Sequence, residues 1–114
     1  MTMETLVIGV DGGGSKTRAL VADERGEQIA EAVGGASAVK PGEIEHSAEV
    51  IAGVVRDVLE TAEKSGAKPR VLSVGVAGLR REPEREALLE ALVGRQLAEE
   101  VSVLPDYAIA LEDA

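Results

Sequence analysis

Short runs of aliphatic residues, separated by polar or glycine-rich turns, make up the first third of the chain. Residues 6–10 form an apolar, β-branched run that ends at Asp11. After a short turn at residues 12–14, residues 17–23 form a second apolar run, and after another turn residues 27–33 form a third. Apolar runs of this length bounded by turn residues are typical of strands. Three consecutive strands joined by tight turns predict an antiparallel start to a sheet.

The clearest helix is predicted to begin at Ile44 and to end near Ser65 and Gly66. Apolar residues recur there at helical spacing on one face, and Gly66 is expected to supply a left-handed cap at the helix end. Residues 71–76 are again a continuous apolar run, which indicates a buried strand. A helix that connects two neighbouring strands of one sheet implies that these strands are parallel.

A second helix is predicted to begin at residues 82–84, Glu-Pro-Glu, because proline suits a first helical turn and acids complement the helix dipole. Gly94 ends or interrupts this helix, and the valines at 101 and 103 indicate a short last strand. Residues 107–114 have the pattern of a further helix that the chain does not complete. The predicted order is βββαβαβ, in an α/β domain with a mixed sheet flanked by helices.

Composition limits the kinds of protein that this chain can be. Its 114 residues suffice for one domain, residues 1–114, and not for a two-lobed enzyme. The net charge of -9 opposes nucleic-acid binding, and no apolar run approaches the roughly 20 residues that cross a bilayer. There is no cysteine, so these residues hold no thiolate metal site and no cysteine nucleophile. Because the first residues lack a signal-peptide pattern, a cytoplasmic location is expected.

One segment carries the residue types of a nucleotide-phosphate site. A carboxylate at the end of a predicted strand is followed by three glycines and then by hydroxyl and ammonium groups. Glycines let the backbone turn through positive φ and let its N–H groups approach phosphate oxygens. A carboxylate suits a Mg²⁺ ion that keeps several waters. The predicted ligands are Asp11 for Mg²⁺, through water, and Gly12, Gly13, Gly14, Ser15, Lys16 and Thr17 for the phosphates.

Two better-known glycine motifs do not fit this segment. A Walker A loop has spaced glycines followed by Lys and Ser or Thr, whereas the glycines here are contiguous. A Rossmann fingerprint opens a helix, whereas this loop leads into another predicted strand. A plain hairpin at residues 12–14, with Asp11 as a turn residue, is the alternative that the segment alone leaves open.

Four segments, taken in order, resemble the BadF/BadG/BcrA/BcrD ATPase family, whose best-known sugar-phosphorylating members are N-acetylglucosamine kinases. They are residues 9–23, residues 34–37 (Gly-Gly-Ala-Ser), residues 74–79 (Val-Gly-Val-Ala-Gly-Leu) and residues 103–111, which open with Val-Leu-Pro-Asp. The resemblance covers essentially the whole chain. It implies the first lobe of the actin-like, sugar kinase and Hsp70 superfamily, a ribonuclease H-like domain that binds ATP in a cleft against a second lobe.

The resemblance also implies roles for single residues. Asp106 matches the general base of the kinases, a task that suits a carboxylate because it can take the proton of a sugar hydroxyl as that hydroxyl attacks the γ-phosphoryl group. A helix N-cap is the alternative role for Asp106, and the two roles are compatible. Gly35, Ser37 and Gly78 match positions near the sugar. The alternatives are an ordinary exposed connection at Ser37 and an ordinary strand-end glycine at Gly78.

The resemblance therefore predicts an ATP-dependent phosphotransferase that moves the γ-phosphoryl group of Mg-ATP to a hydroxyl of an N-acetylglucosamine-like sugar, with the second lobe outside these residues. An activator ATPase of a radical dehydratase is the alternative enzyme. A self-associating, homodimeric domain without turnover is the alternative outside catalysis. A ribonuclease H-like nuclease is disfavoured by the net charge of -9. Half a cleft is expected to bind Mg-ATP weakly.

Overall fold

The computed structural model describes residues 5–40, 42–78 and 82–104 of the chain. Within these ranges the elements follow the predicted order, βββαβαβ. The predicted helix at 107–114 lies outside the described residues. The bounds are β1 Val7–Gly12, β2 Thr17–Ala22, β3 Gln28–Gly34, α1 Ile44–Thr61, β4 Val71–Val76, α2 Glu82–Val93 and β5 Glu100–Leu104.

The five strands form one mixed sheet in the order β3-β2-β1-β4-β5. The central strand, β1, is antiparallel to β2 and parallel to β4, while β4 and β5 are also parallel. Gly12, the last residue of β1, therefore pairs with Thr17 on one side and with Val76 on the other. Because parallel strands end at the same edge of a sheet, the loop after β1 and the segment after β4 emerge side by side.

Both helices cover the same face of this sheet. They contact each other, and α1 also contacts β1, β2 and β3 while α2 contacts β5. The strands direct alternate side chains toward this face, and these side chains are aliphatic and fully buried. Their burial supplies the main stabilisation of the fold, at roughly 1.5 to 3 kcal/mol for each large side chain. The sequence has no Phe or Trp, so Val, Leu, Ile and Ala fill the core. Its fully buried members include Ile8, Val10, Val21, Ile51, Val58, Leu72, Val74, Leu88 and Leu92.

The opposite face of the sheet carries no helix from the described residues. Asp11, Arg18 and Glu31 project from it, together with aliphatic side chains such as Val33, which is 56% exposed. Neither α1 nor α2, the two helices within the described ranges, has the length and apolarity that crossing a bilayer would require.

Helix α1 ends earlier than the sequence predicts. Its last residue is Thr61, and Glu63, not Gly66, takes the left-handed conformation of the cap, with φ 60°. The N–H of Lys64 donates to the carbonyl of Leu59 at 2.7 Å, which is the long bond of a Schellman cap. Gly66, with φ 85°, lies in the turn that follows. The glycine signal therefore placed the cap three residues too late.

Candidate functional site

The loop between β1 and β2 is a tight turn with unpaired backbone donors. The N–H of Gly13 donates to the carbonyl of Lys16 at 2.9 Å and closes the turn. The N–H groups of Gly14, Ser15 and Lys16 have no acceptor among the residues that the structure describes. Successive free N–H groups form a concave site that suits the oxygens of an anion.

The glycines of this loop do not provide the positive φ that was predicted for them. Gly12 belongs to β1 and not to the turn, and none of Gly12, Gly13 and Gly14 has a positive φ, so that part of the prediction is wrong. Gly12 is required sterically, because a Cβ there would lie 2.1 Å from Oγ of Ser37. A Cβ at Gly14 would meet nothing within 4 Å, so the space beside this residue is open.

The connection between β3 and α1 is tied to the ends of both parallel strands. The carbonyl of Gly13 accepts hydrogen bonds from the N–H groups of Ser37 and Ala38, both at 3.1 Å. The N–H of Val39 donates to the carbonyl of Ala77, just after β4, at 2.9 Å. These bonds fix the relative positions of three segments: the loop after β1, the connection between β3 and α1, and the segment after β4.

Gly78 makes one of these close approaches possible. It has φ 93°, which glycine adopts without strain. A Cβ at this position would lie only 2.2 Å from the carbonyl oxygen of Val39. Any side chain would therefore push the connection away from the end of β4, and the glycine serves the architecture of the site whether or not it also contacts a ligand.

Thr17 and Ser37 lie under the loop with their side chains fully buried. The hydroxyl oxygen of Thr17 is 2.6 Å from the carbonyl oxygen of Gly35 and 2.6 Å from Oγ of Ser37. A hydroxyl has one proton to donate, so the proton of Thr17 serves one of these two contacts and the proton of Ser37 serves the other. The interpretation of this stretch as an ordinary exposed connection is wrong for Ser37, although Gly35 itself is exposed. Both hydroxyls hold the site in shape from within.

An open cavity of about 420 Å³ lies over the loop. It brings together the larger part of the predicted phosphate and metal residues, and it adds Arg18, which the sequence analysis missed. Arg18 could have been found by pairing the two strands across the turn, since it is the partner of Asp11 in the antiparallel register. Asp106 lies outside the described residues. The cavity is lined by Asp11, Gly12, Gly13, Gly14, Ser15, Lys16, Arg18 and Ala77, and not by Thr17, Gly35, Ser37 or Gly78.

Asp11 fits the role of a magnesium residue. Its half-buried carboxylate lines the cavity and forms no ion pair with another described residue. Within the described part of the chain, no cluster of three or more acids or histidines stands ready to chelate a metal ion. A single carboxylate suits Mg²⁺ in particular, because this ion keeps most of its waters and uses one or two carboxylates together with phosphate oxygens.

The sequence profile of one protein family matches nearly the whole chain. The match is to the BadF/BadG/BcrA/BcrD ATPase family and covers residues 8–114. The chain belongs to this family. This confirms the resemblance seen in the four motif segments. No curated protein matches the chain.

Solved structures agree with this family and with the fold. A protein from Chromobacterium violaceum, proposed to be an N-acetylglucosamine kinase, is 27% identical and superposes with a TM-score of 0.68 over 87% of this chain and 34% of its own. Component A of (R)-2-hydroxyglutaryl-CoA dehydratase from Acidaminococcus fermentans is 16% identical, with a TM-score of 0.53 over 87% of this chain and 30% of its own. The fold is thus the first lobe of an actin-like ATPase, as predicted. The chain spans about a third of the length of these two structures.

Proposed function

We propose that this chain is the phosphate-binding half of an ATP-dependent phosphotransferase that transfers the γ-phosphoryl group of Mg-ATP to a sugar hydroxyl. The observation that carries the proposal is the cavity at the end of β1, where unpaired N–H groups, Lys16 and Asp11 face one space. Family membership supports the use of ATP. An amino sugar such as N-acetylglucosamine is the leading acceptor, because the Chromobacterium violaceum protein is the more similar in sequence of the two structures compared.

In this proposal each group around the cavity has one task. The N–H groups of Gly14 and Ser15 and the ammonium group of Lys16 bind phosphate oxygens and offset their charge. Asp11 holds the hydrated Mg²⁺, which neutralises charge on the phosphates when it is bound. Thr17 and Ser37 fix the loop, since their hydroxyls are used within the chain.

Asp106 is assigned as the general base. Its carboxylate takes the proton of the sugar hydroxyl while the hydroxyl oxygen forms a bond to the γ-phosphorus and the bond from that phosphorus to the oxygen of ADP breaks. Gly35 and Gly78 are assigned to the acceptor side of the site. Their positions next to Thr17 and Val39 make them sensitive to the shape of the same loop.

The proposal is tested by ADP release from the polypeptide that the complete gene encodes, with amino sugars as acceptors. Asp106→Asn is expected to lower the turnover number by about a hundredfold or more while ATP binding stays intact, because general-base catalysis contributes that much. Asp57→Asn, which changes an exposed acid on α1, is the matched control and should leave the rate unchanged. Sugar-independent ATP hydrolysis coupled to an iron–sulfur absorbance would contradict the kinase assignment and support the activator ATPase.

A further inference from the structure

We propose that a groove beside the second half of α1 binds a small organic anion that has an apolar body. This distal groove is formed by residues 55, 56 and 59 of α1, by the turn at 66–68 and by residues 96 and 97. It lies at the other edge of the sheet from the phosphate cavity, because the turn precedes β4 and residues 96 and 97 precede β5. The six residues of β4 separate the two edges by roughly 20 Å. A ligand in the distal groove would therefore not touch the site of the proposed function.

Apolar side chains form much of the distal groove, whose volume is about 380 Å³. Val55 and Leu59, two buried residues of α1, line it together with the partly buried Leu97. Cavities of roughly 300 to 1,000 Å³ with mostly apolar walls are typical of sites for small molecules. The size and the lining of the distal groove therefore suit an acyl chain or an aromatic ring.

Two cationic side chains line the same groove. Arg56, on α1, and Lys68, in the turn before β4, are exposed, and their side chains form no hydrogen bond or ion pair with another described residue. No acid is among the described residues that line the distal groove, although the chain has 21 acids and only 12 cationic residues. The distal groove therefore reverses the sign of the protein's net charge locally, and it is complementary to an anionic group.

Neutral hydrogen-bond donors add to these charges. The backbone N–H groups of Gly66, Lys68 and Leu97 have no acceptor among the residues that the structure describes. The side-chain amide of Gln96, which also lines the distal groove, has no partner there either. Carboxylate oxygens accept hydrogen bonds from both kinds of group. An anion with an apolar body would thus find charge, donors and apolar contact in one place.

The charge of the whole chain favours a small ligand over an extended one. A net charge of -9 repels a membrane surface or a nucleic acid, each of which presents many negative charges at once. A second copy of the chain that packed groove to groove would bring the same cations together. A single carboxylate meets only the local pair, Arg56 and Lys68. The occupant is therefore a small amphipathic anion, such as an acyl or aryl carboxylate.

The test is an NMR titration of the 114-residue chain with octanoate, with octanamide and with inorganic phosphate, followed through backbone amide signals. Octanamide has the same acyl chain without the charge, and phosphate has the charge without the chain. We expect octanoate to shift the signals of residues 66–68, 96 and 97. Octanamide should bind at least about fivefold more weakly, because it forms no charge-assisted contact.

Three variants and one control test the role of charge. Arg56→Gln and Lys68→Gln are each expected to weaken octanoate binding by about fivefold. Glu60→Gln should strengthen it slightly, because Glu60 is an acid of the smaller cavity that adjoins the distal groove. Arg25→Gln is the matched control, since Arg25 is 80% exposed and does not line the distal groove, and it should leave the affinity unchanged. The residues at 56, 60 and 68 are exposed, so these variants should fold, and Lys68→Gln replaces Arg56→Gln if that variant does not.

Every other outcome overturns the assignment of the distal groove and leaves the phosphate site standing. Equal affinities for octanoate and octanamide, or an Arg56→Gln variant that binds as the wild type does, would show that charge is not recognised. Octanoate shifts confined to residues 13–16 would place the anion in the phosphate cavity. If phosphatidylglycerol vesicles bind the chain while octanoate does not, the occupant is a membrane surface. If the signals of residues 66–68 shift with protein concentration alone, the occupant is a second copy.

Discussion

Replacing Gly12 by alanine tests the packing that holds the phosphate loop. The new methyl group would lie 2.1 Å from Oγ of Ser37, whereas ordinary contacts begin at 3.4 Å. The backbone of Ser37 is held by its hydrogen bond to Gly13, so the hydroxyl must rotate away and lose its partner Thr17. Overpacking costs about 1 to 3 kcal/mol, and the buried hydrogen bond adds about 1 kcal/mol. We expect Gly12→Ala to lower the free energy of unfolding by about 3 kcal/mol.

The assay is urea unfolding followed by far-ultraviolet circular dichroism, since the sequence has no Trp to report the transition by fluorescence. Gly53→Ala is the control. Gly53 lies within α1, where a Cβ would meet only the end of an arginine side chain at 3.9 Å, so alanine there should stabilise the helix by about 0.5 to 1 kcal/mol.

A double-mutant cycle identifies the cause of the loss. Ser37→Ala removes the clashing oxygen and leaves the nearest carbon, Cβ of Ser37, at a tolerable 3.4 Å. Gly12→Ala should therefore cost about 1 kcal/mol or less in the Ser37→Ala background, a clear departure from additivity. Additive losses, or a Gly12→Ala variant as stable as the wild type, would refute the reasoning.

Three further variants test other features of the chain. Gly78→Ala should lower the free energy of unfolding by about 3 kcal/mol or more in the same urea assay, because φ 93° and the carbonyl of Val39 both oppose a Cβ. The clash is with a backbone atom, so no second substitution that shortens a side chain should restore the stability. Glu63→Gly should raise the melting temperature by about 4 °C, since a left-handed residue other than glycine costs about 1 kcal/mol, and a decrease would contradict the cap. The hydrogen bond from the guanidinium group of Arg85 holds the pKa of Glu82 below its ordinary value of 4.5. The pair therefore stabilises the fold fully above pH 4.5, and this stabilisation is lost as the pH falls through the lowered pKa. Melting curves of Glu82→Gln should accordingly show a smaller loss on acidification than the wild type.

The fold could be predicted from the sequence because local patterns and topology agree. The strand at 71–76 was predicted with its observed bounds, and α1 begins at Ile44, the first apolar residue of its predicted face. The errors lie at the ends of elements, where one residue type serves several geometries. Glycine marked both the turn after β1 and the end of α1, yet Gly12 belongs to a strand and the helix cap falls on Glu63.

The candidate site could be predicted only as far as it is contiguous in the sequence. The run from Asp11 to Lys16 lines one cavity, because a tight turn keeps neighbouring residues together. Arg18 and the burial of Ser37 depend on strand register and on hydrogen bonds between segments that are far apart in the chain. The hydrophobic pattern alone gives neither the register across the turn nor these hydrogen bonds.

The hydrogen bonds that join residues 37–39 to the strand ends have a consequence for amide exchange. Loops around binding sites usually open locally and exchange their amide hydrogens fast. Here the N–H groups of Ser37, Ala38 and Val39 all donate to backbone carbonyls of other segments, although they lie outside any helix or strand. These amides should exchange as slowly as those of the central strand, because breaking their hydrogen bonds would separate the connection between β3 and α1 from the ends of β1 and β4. The floor of the site is thus preorganised by folding, and a ligand that binds there does not have to order it.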